Sequence, residues 1–227
     1  MGDVADLARP DAVLFDLDGT LVDTVEVRIE AWARVFAEAG IPADRGHLAT
    51  LIGVDGRRLA REVGAIAGIT VDEDRSEAID KRCGEIYEDL NADPRPLPGV
   101  RELVDAIENA GIAWAIATSS RREQVKTSVE ALGLDAEPTI VDGSHVEHAK
   151  PEPDLLLLGA KELDVDPTRC WYVGDSTWDI AAAIAAGMIP IGVTAGAAVS
   201  AEVLAGAGAA AVVGELGALT ARLTNLD

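Results

Sequence analysis

The apolar run Ala12-Val13-Leu14-Phe15 ends in two carboxylates one residue apart, Asp16 and Asp18, followed by the turn formers Gly19 and Thr20. An uninterrupted apolar tetrapeptide reads as a strand buried on both faces, which is the habit of parallel sheets covered by helices. Acids so close together at a strand tip repel each other, and burying them is unfavourable without compensation. A divalent cation is the usual compensation, and open α/β sheets bind ligands at the carboxyl ends of their strands. The motif points to an α/β fold with a polar site at that edge; the alternative is a strand that simply ends in a polar turn.

The chain has 227 residues, enough for one large α/β domain or a core with a smaller insertion, and 48% of them are hydrophobic. Aromatic residues make up only 4%, so the core must be built from Ala, Val, Leu and Ile. Forty acids against nineteen bases give a formal charge of −21. Such a surface repels phosphate backbones and anionic lipid, which argues against nucleic-acid and membrane partners. It also attracts small anions poorly, so any anion site must bring its own positive charge. The two distant cysteines, Cys83 and Cys170, fit reduced thiols in the cytoplasm better than a disulfide scaffold. Met1 to Pro10 is acidic and has no basic segment before an apolar one, so no secretory signal is expected.

Three prolines in Pro94-Arg95-Pro96-Leu97-Pro98-Gly99 mark a boundary or hinge. Before it, Thr24–Ala39, Asp55–Ala67 and Asp72–Leu90 read as helices, with no convincing strand between Leu21 and Pro94. After it, helices and strands alternate: helix Val100–Ala110, strand Ile112–Ala117, helix Arg121–Leu132, strand Thr139–Val141, helix Pro153–Leu163, strand Trp171–Val173, helix Ile180–Ala186 and strand Ile189–Val193. Segments Val199–Ala205, Ala210–Val213 and Leu216–Leu223 close the domain. This alternation predicts a Rossmann-like, three-layer parallel-sheet core from residues 1–20 and 97–227, with an inserted α-helical cap over 21–96.

Each later strand tip delivers polar residues. Thr118-Ser119-Ser120 offers hydroxyls and main-chain N–H groups that suit an anion, or simply a cap for the next helix. In Ala149-Lys150-Pro151-Glu152-Pro153, the prolines hold Lys150, one of four lysines, in a defined place. Gly174-Asp175-Ser176-Thr177-Trp178-Asp179 sets two acids one helical turn apart.

Together these four segments, in this order, resemble the haloacid dehalogenase superfamily, in particular its phosphatase and phosphoglucomutase-like members with a helical cap. The resemblance covers essentially the whole chain. It implies Asp16 as nucleophile forming an aspartyl-phosphate, and Asp18 as general acid and base. It further implies Mg²⁺ held by Asp16, the Asp18 carbonyl oxygen and Asp175, with Asp179 helping to ligate it or orienting a metal-bound water. Phosphoryl oxygens would meet Thr118 and the main chain of Leu17, Asp18 and Ser119, with Lys150 neutralising charge. Asp18 favours phosphate esters over the family's dehalogenases and phosphonatases, which depart at that position. Sugar phosphomutases carry a histidine on the first cap helix about where Arg28 stands. The turn Ile52–Arg58 resembles a substrate-selecting loop, and Arg57 or Arg28 could take a substrate carboxylate or second phosphate, unless both simply face solvent. The implied partner is a small phosphorylated metabolite. A phosphomutase, and a silent or receiver-like binding protein, remain alternatives.

Overall fold

The protein is described by a computed structural model covering residues 4–224; residues 1–3 and 225–227, the outer ends of the expected core, lie outside the described residues. Six parallel strands form one sheet in the order β3-β2-β1-β4-β5-β6, with β1 Ala12–Phe15, β2 Ala113–Ala117, β3 Ile140–Val141, β4 Cys170–Gly174, β5 Ile189–Val193 and β6 Ala211–Val213. β1 lies between β2 and β4, and the chain first runs to one side of it and then to the other. The Asp16 edge is therefore the point where strand order reverses, where such sheets open a crevice.

The two-residue period of the strands builds both faces. Val13, Phe15, Ile116, Trp171 and Val173 point to one side, against α5 (Val100–Asn109) and α10 (Gly217–Thr224). Ala12, Leu14, Ala115, Ala117 and Tyr172 point to the other, against α7 (Asp154–Glu162) and α8 (Thr177–Ala185). α6 (Arg122–Ala131) follows β2, and the short α9 (Ala201–Gly206) joins β5 to β6. All four residues of β1 are buried, and each large one contributes about 1.5–3 kcal/mol by leaving water.

Four helices stand between β1 and α5: α1 Val25–Glu38, α2 Arg45–Leu51, α3 Gly56–Ile66 and α4 Glu73–Leu90. They enclose a separate cluster that includes Ile29, Trp32, Phe36, Leu48, Leu59, Val63 and Tyr87. Their two links to the sheet run side by side, antiparallel: Asp23 N–H donates to the Arg95 carbonyl and Leu97 N–H to the Leu21 carbonyl, both at 2.9 Å. The helices are anchored over the sheet by Trp178 of α8, whose indole N–H donates to the Thr50 carbonyl at 2.9 Å.

Helix α2 is absent from the sequence expectation, because its seven residues bury only Leu48 and Leu51, too few to set a period. Asp44 caps it by accepting from His47 N–H. Helix α8 starts three residues before the expected Ile180, because Ser176 and Asp179 form a capping box. No helix among the described residues is long and apolar enough to cross a membrane.

Candidate active site

The main chain carries Asp16 into the crevice as an extension of β1, its N–H donating to the Val173 carbonyl at 2.9 Å. The chain then turns hard: the N–H groups of Leu21 and Val22 both reach the Leu17 carbonyl, and Gly19 N–H reaches Val22. Leu17 sends its side chain into the core and leaves only its main chain near the site. Gly19 has φ +80°, and a Cβ there would lie 2.3 Å from Asp175 Oδ2. Left-handed backbone costs a non-glycine residue about 1–3 kcal/mol, before any clash. Gly19→Ala is thus expected to lower the melting temperature by at least about 2 °C; an unshifted melt would show that the turn relaxes freely.

Strand β4 and the start of α8 supply Asp175 and Asp179. Ser176 N–H and Oγ donate to Asp179 Oδ2, at 3.0 and 2.5 Å, which fixes that carboxylate. Asp179 Oδ1 accepts from Lys150 Nζ at 2.7 Å. The same ammonium donates to Asp16 Oδ1 at 2.5 Å and to the Tyr172 hydroxyl at 3.2 Å, while Tyr172 donates to the Ala117 carbonyl. Thr20 Oγ1 donates to Asp175 Oδ1 at 3.2 Å. Lys150, Asp16, Asp175 and Asp179 are all buried.

One ammonium stands against three carboxylates. Burial would discharge Lys150, but Asp16 and Asp179 hold its pKa well above the ordinary value, so it stays cationic. Burial pushes the Asp16 carboxyl up to about 7 against the pull of Lys150. It pushes Asp175 well above the carboxylate range, with the Asp179 and Asp16 charges adding to it. Asp16, Asp175 and Asp179 each offer an oxygen within 4.8 Å of the others. A crowded, all-oxygen, net-negative set is the donor chemistry of a hard divalent cation, so these residues fit one.

Asp18 faces the other way, toward the helical insertion. Its Oδ1 accepts from Thr24 Oγ1 at 2.7 Å and the Tyr87 hydroxyl at 3.0 Å; its Oδ2 accepts from Arg28 Nη2 at 2.8 Å and Ser120 Oγ at 3.1 Å. Burial alone would raise its pKa, but Arg28, Thr24 and Tyr87 together hold it below the ordinary value. Tyr87 is positioned in turn by Asn91, which also donates to Ser128. Arg28 does not face solvent: it is buried on the Tyr87 ring, 3.5 Å from the centroid. The solvent-facing alternative for that residue is therefore wrong, because Asp18 and Tyr87 both draw the guanidinium inward.

Thr118 is buried at the tip of β2 and accepts from Ser120 N–H at 3.2 Å. Ser119 Oγ donates to the Gly53 carbonyl at 3.1 Å, so the α2–α3 turn does reach the sheet edge. Gly53 has φ +96°, and a Cβ there would sit 2.6 Å from Ser176 Oγ. Arg57 pairs with Asp55 at 3.2 Å and stays about one-third exposed. A cavity of about 400 Å³ lies between insertion and sheet, bordered by Asp16, Asp18, Arg28, Arg57, Thr118 and Lys150. Thr24, Tyr87, Asn91, Ser128, Tyr172 and Ser176 were not singled out from the sequence. Only Ser176, a serine three residues before an acid at a helix start, carries a local signal there.

The chain matches the family described as haloacid dehalogenase-like hydrolase over residues 13–193. It is 32% identical over 175 residues to the N-acetylmuramic acid 6-phosphate phosphatase of Pseudomonas aeruginosa, covering 76% of each chain. It is 31% identical over 190 residues to the β-phosphoglucomutase of Bacillus subtilis, covering 82% of this chain and 84% of that one. The crystal structure of a hydrolase from Pseudomonas syringae superimposes with a TM-score of 0.89 at 29% identity, over 95% of this chain and 98% of the other. With its sheet order, strand-tip residues and family match in agreement, the chain belongs to the haloacid dehalogenase-like hydrolases.

Proposed function

We propose that the protein is a Mg²⁺-dependent phosphomonoester hydrolase of a small phosphorylated metabolite, working through an aspartyl-phosphate on Asp16. The observation that carries this reading is the buried set Asp16, Lys150, Asp175 and Asp179, of which Asp16 and Lys150 border the cavity together with Asp18. The Asp16 carboxylate attacks phosphorus while Lys150 holds its Oδ1 and neutralises charge on the phosphoryl oxygens. Thr118 and the main chain of Leu17, Asp18 and Ser119 bind those oxygens. Asp18, held anionic at rest by Arg28, Thr24 and Tyr87, first takes up a proton from solvent; it gives that proton to the departing alcohol and then takes one from the water that hydrolyses the acyl phosphate. Asp16, the Asp18 carbonyl oxygen and Asp175 would hold Mg²⁺, with Asp179 ligating it or orienting a water on it, and the ion would supply further neutralisation of the phosphoryl charge. Residues 21–96 act as a cap that opens on the two paired links at Val22 and Pro96 and closes over residues 1–20 and 97–227. The buried free thiols Cys83 and Cys170 suit work in a reducing cytoplasm.

The likeness to a β-phosphoglucomutase favours one second reading, a phosphomutase. Against it, Arg28 occupies the cap-helix position and is engaged with Asp18.

A panel of phosphate monoesters, including an aryl phosphate, phosphoglycolate and sugar phosphates, is expected to show turnover that Mg²⁺ supports and chelation abolishes. Mg²⁺ should also raise the melting temperature, since it binds the folded carboxylate cluster. Turnover indifferent to chelator, or no higher than an Asp16→Asn control, would overturn the proposal. Conversion of β-glucose 1-phosphate to the 6-phosphate, in place of release of phosphate, would favour the mutase.

A further inference from the structure

Trp178 stands between two acids of the crevice, three residues after Asp175 and one before Asp179, yet its side chain turns away from the sheet. It packs on the cluster enclosed by the four inserted helices. Among the described residues of that cluster and those packed against it, Trp178 alone comes from outside 21–96. Its indole N–H donates to the Thr50 carbonyl at the end of α2, and the Arg58 guanidinium of α3 lies 5.2 Å over its ring. The insertion thus grips this one side chain from two helices.

The same edge of the insertion lies on the support of Asp179. A Cβ on Gly53, between Thr50 and Arg58, would sit 2.6 Å from Ser176 Oγ and 3.9 Å from Asp179 Oδ2. Ser176 fixes Asp179, and Asp179 binds Lys150. Trp178 and Asp179 are consecutive in the first turn of α8, where main-chain N–H groups still lack helical partners and side chains hold the geometry. A grip on Trp178 therefore constrains Asp179. Other ties from the insertion, Arg28 to Ser120, Asn91 to Ser128 and Glu77 to Arg121, reach the segment after β2 instead.

We infer that Trp178 is a positioning residue: held by Thr50 and Arg58, it makes the seating of the insertion and the order of the Asp175–Asp179 loop one event. This rests on the metal site and the moving cap of the phosphatase reading. Such coupling is reciprocal. A cation on the carboxylates tightens the seat of Trp178, and a loosened seat weakens the hold on the cation. Arg58 thereby supports Mg²⁺ binding through the indole. By charge alone its removal would tighten Mg²⁺, so the direction of the effect separates the two causes.

Two measurements test this without turnover. The indole is only partly buried, so acrylamide reaches it. Quenching of the Trp178 emission, taken as wild type minus Trp178→Phe, is expected to fall when Mg²⁺ is added. Calorimetric titration with Mg²⁺ then compares variants. Arg58→Ala is expected to weaken binding about 3-fold, the scale of a cation–π pair. Trp178→Phe keeps the ring but loses the N–H, and should weaken it about 5-fold. In a Trp178→Ala background, Arg58→Ala should change nothing further, because the two residues act as one unit. Arg61→Ala, whose partner Glu73 lies within the insertion, should leave the affinity as it was. Mg²⁺ bound by Arg58→Ala as tightly as by wild type, or more tightly, overturns the inference. So does quenching indifferent to Mg²⁺, and neither result needs the Trp178→Ala variant to fold. Either outcome with Mg²⁺ still bound sinks this inference alone. A wild-type protein that binds no Mg²⁺ removes the metal reading and this inference with it.

Discussion

Asp16→Asn is expected to lower turnover by at least about 10⁴-fold, the scale seen when a nucleophile is removed from a preorganised site. The amide keeps the shape of the side chain and can still accept from Lys150, but it is no nucleophile toward phosphorus. Folding should survive. Asp16 is one of three carboxylates gathered around a single ammonium, so neutralising one of them relieves crowding of like charge. With chelator present, the variant should melt at or above the wild-type temperature. With Mg²⁺ added, the wild-type protein should gain more, because the variant has lost one charged ligand. Two measurements check this, steady-state hydrolysis and thermal melts with and without Mg²⁺. Turnover within tenfold of wild type would remove Asp16 from the mechanism, and a large loss of stability in chelator would contradict the crowding argument.

Lys150→Met is expected to damage both properties. The ammonium is fully buried and bound to Asp16 and Asp179, so removing it leaves the carboxylates with no protein counterion. Breaking a buried pair from one side costs about 3–5 kcal/mol, because the orphaned charge stays behind. Turnover should fall by about 10³-fold, the scale of losing one group aimed at developing charge. Mg²⁺ should restore part of the stability, since it serves the same carboxylates, and much less of the activity. Denaturant unfolding followed by tryptophan fluorescence would read the first effect. A variant as stable as wild type in chelator would show that the carboxylates discharge by another route.

The strand-tip residues were legible because each sits beside a strong local pattern. Asp16 ends an apolar run, Asp175 ends another, and Lys150 precedes Pro151. The parity of the apolar residues likewise foretold a sheet covered on both faces, as Leu14 and Phe15 show by packing on opposite sides. Arg28 was visible as a candidate but not as Asp18's partner. Tyr87, Asn91 and Ser128 were not visible at all, because a buried polar residue on an amphipathic helix resembles any other polar residue until its neighbour is known. Arg28 lies ten residues from Asp18, Tyr87 sixty-nine and Ser120 one hundred and two. Nothing in a local window correlates positions that far apart.

The amino-acid sequence by itself determined the parallel sheet, the helical insertion after its first strand and the identity of the acids and the lysine at the sheet edge. These follow from short-range causes: two-residue strand periodicity, helix caps, and prolines that constrain the backbone. Tertiary structure alone decided that Asp16 and Asp18, two residues apart, enter different environments. Strand alternation alone would put both side chains on one face; the tight turn after β1, with Leu21 and Val22 N–H on the Leu17 carbonyl, takes Asp18 out of that alternation. Asp16 meets Lys150 and the acids of α8, while Asp18 meets Arg28 and Tyr87 of the insertion. What each carboxylate does is set by the charges that packing brings to it.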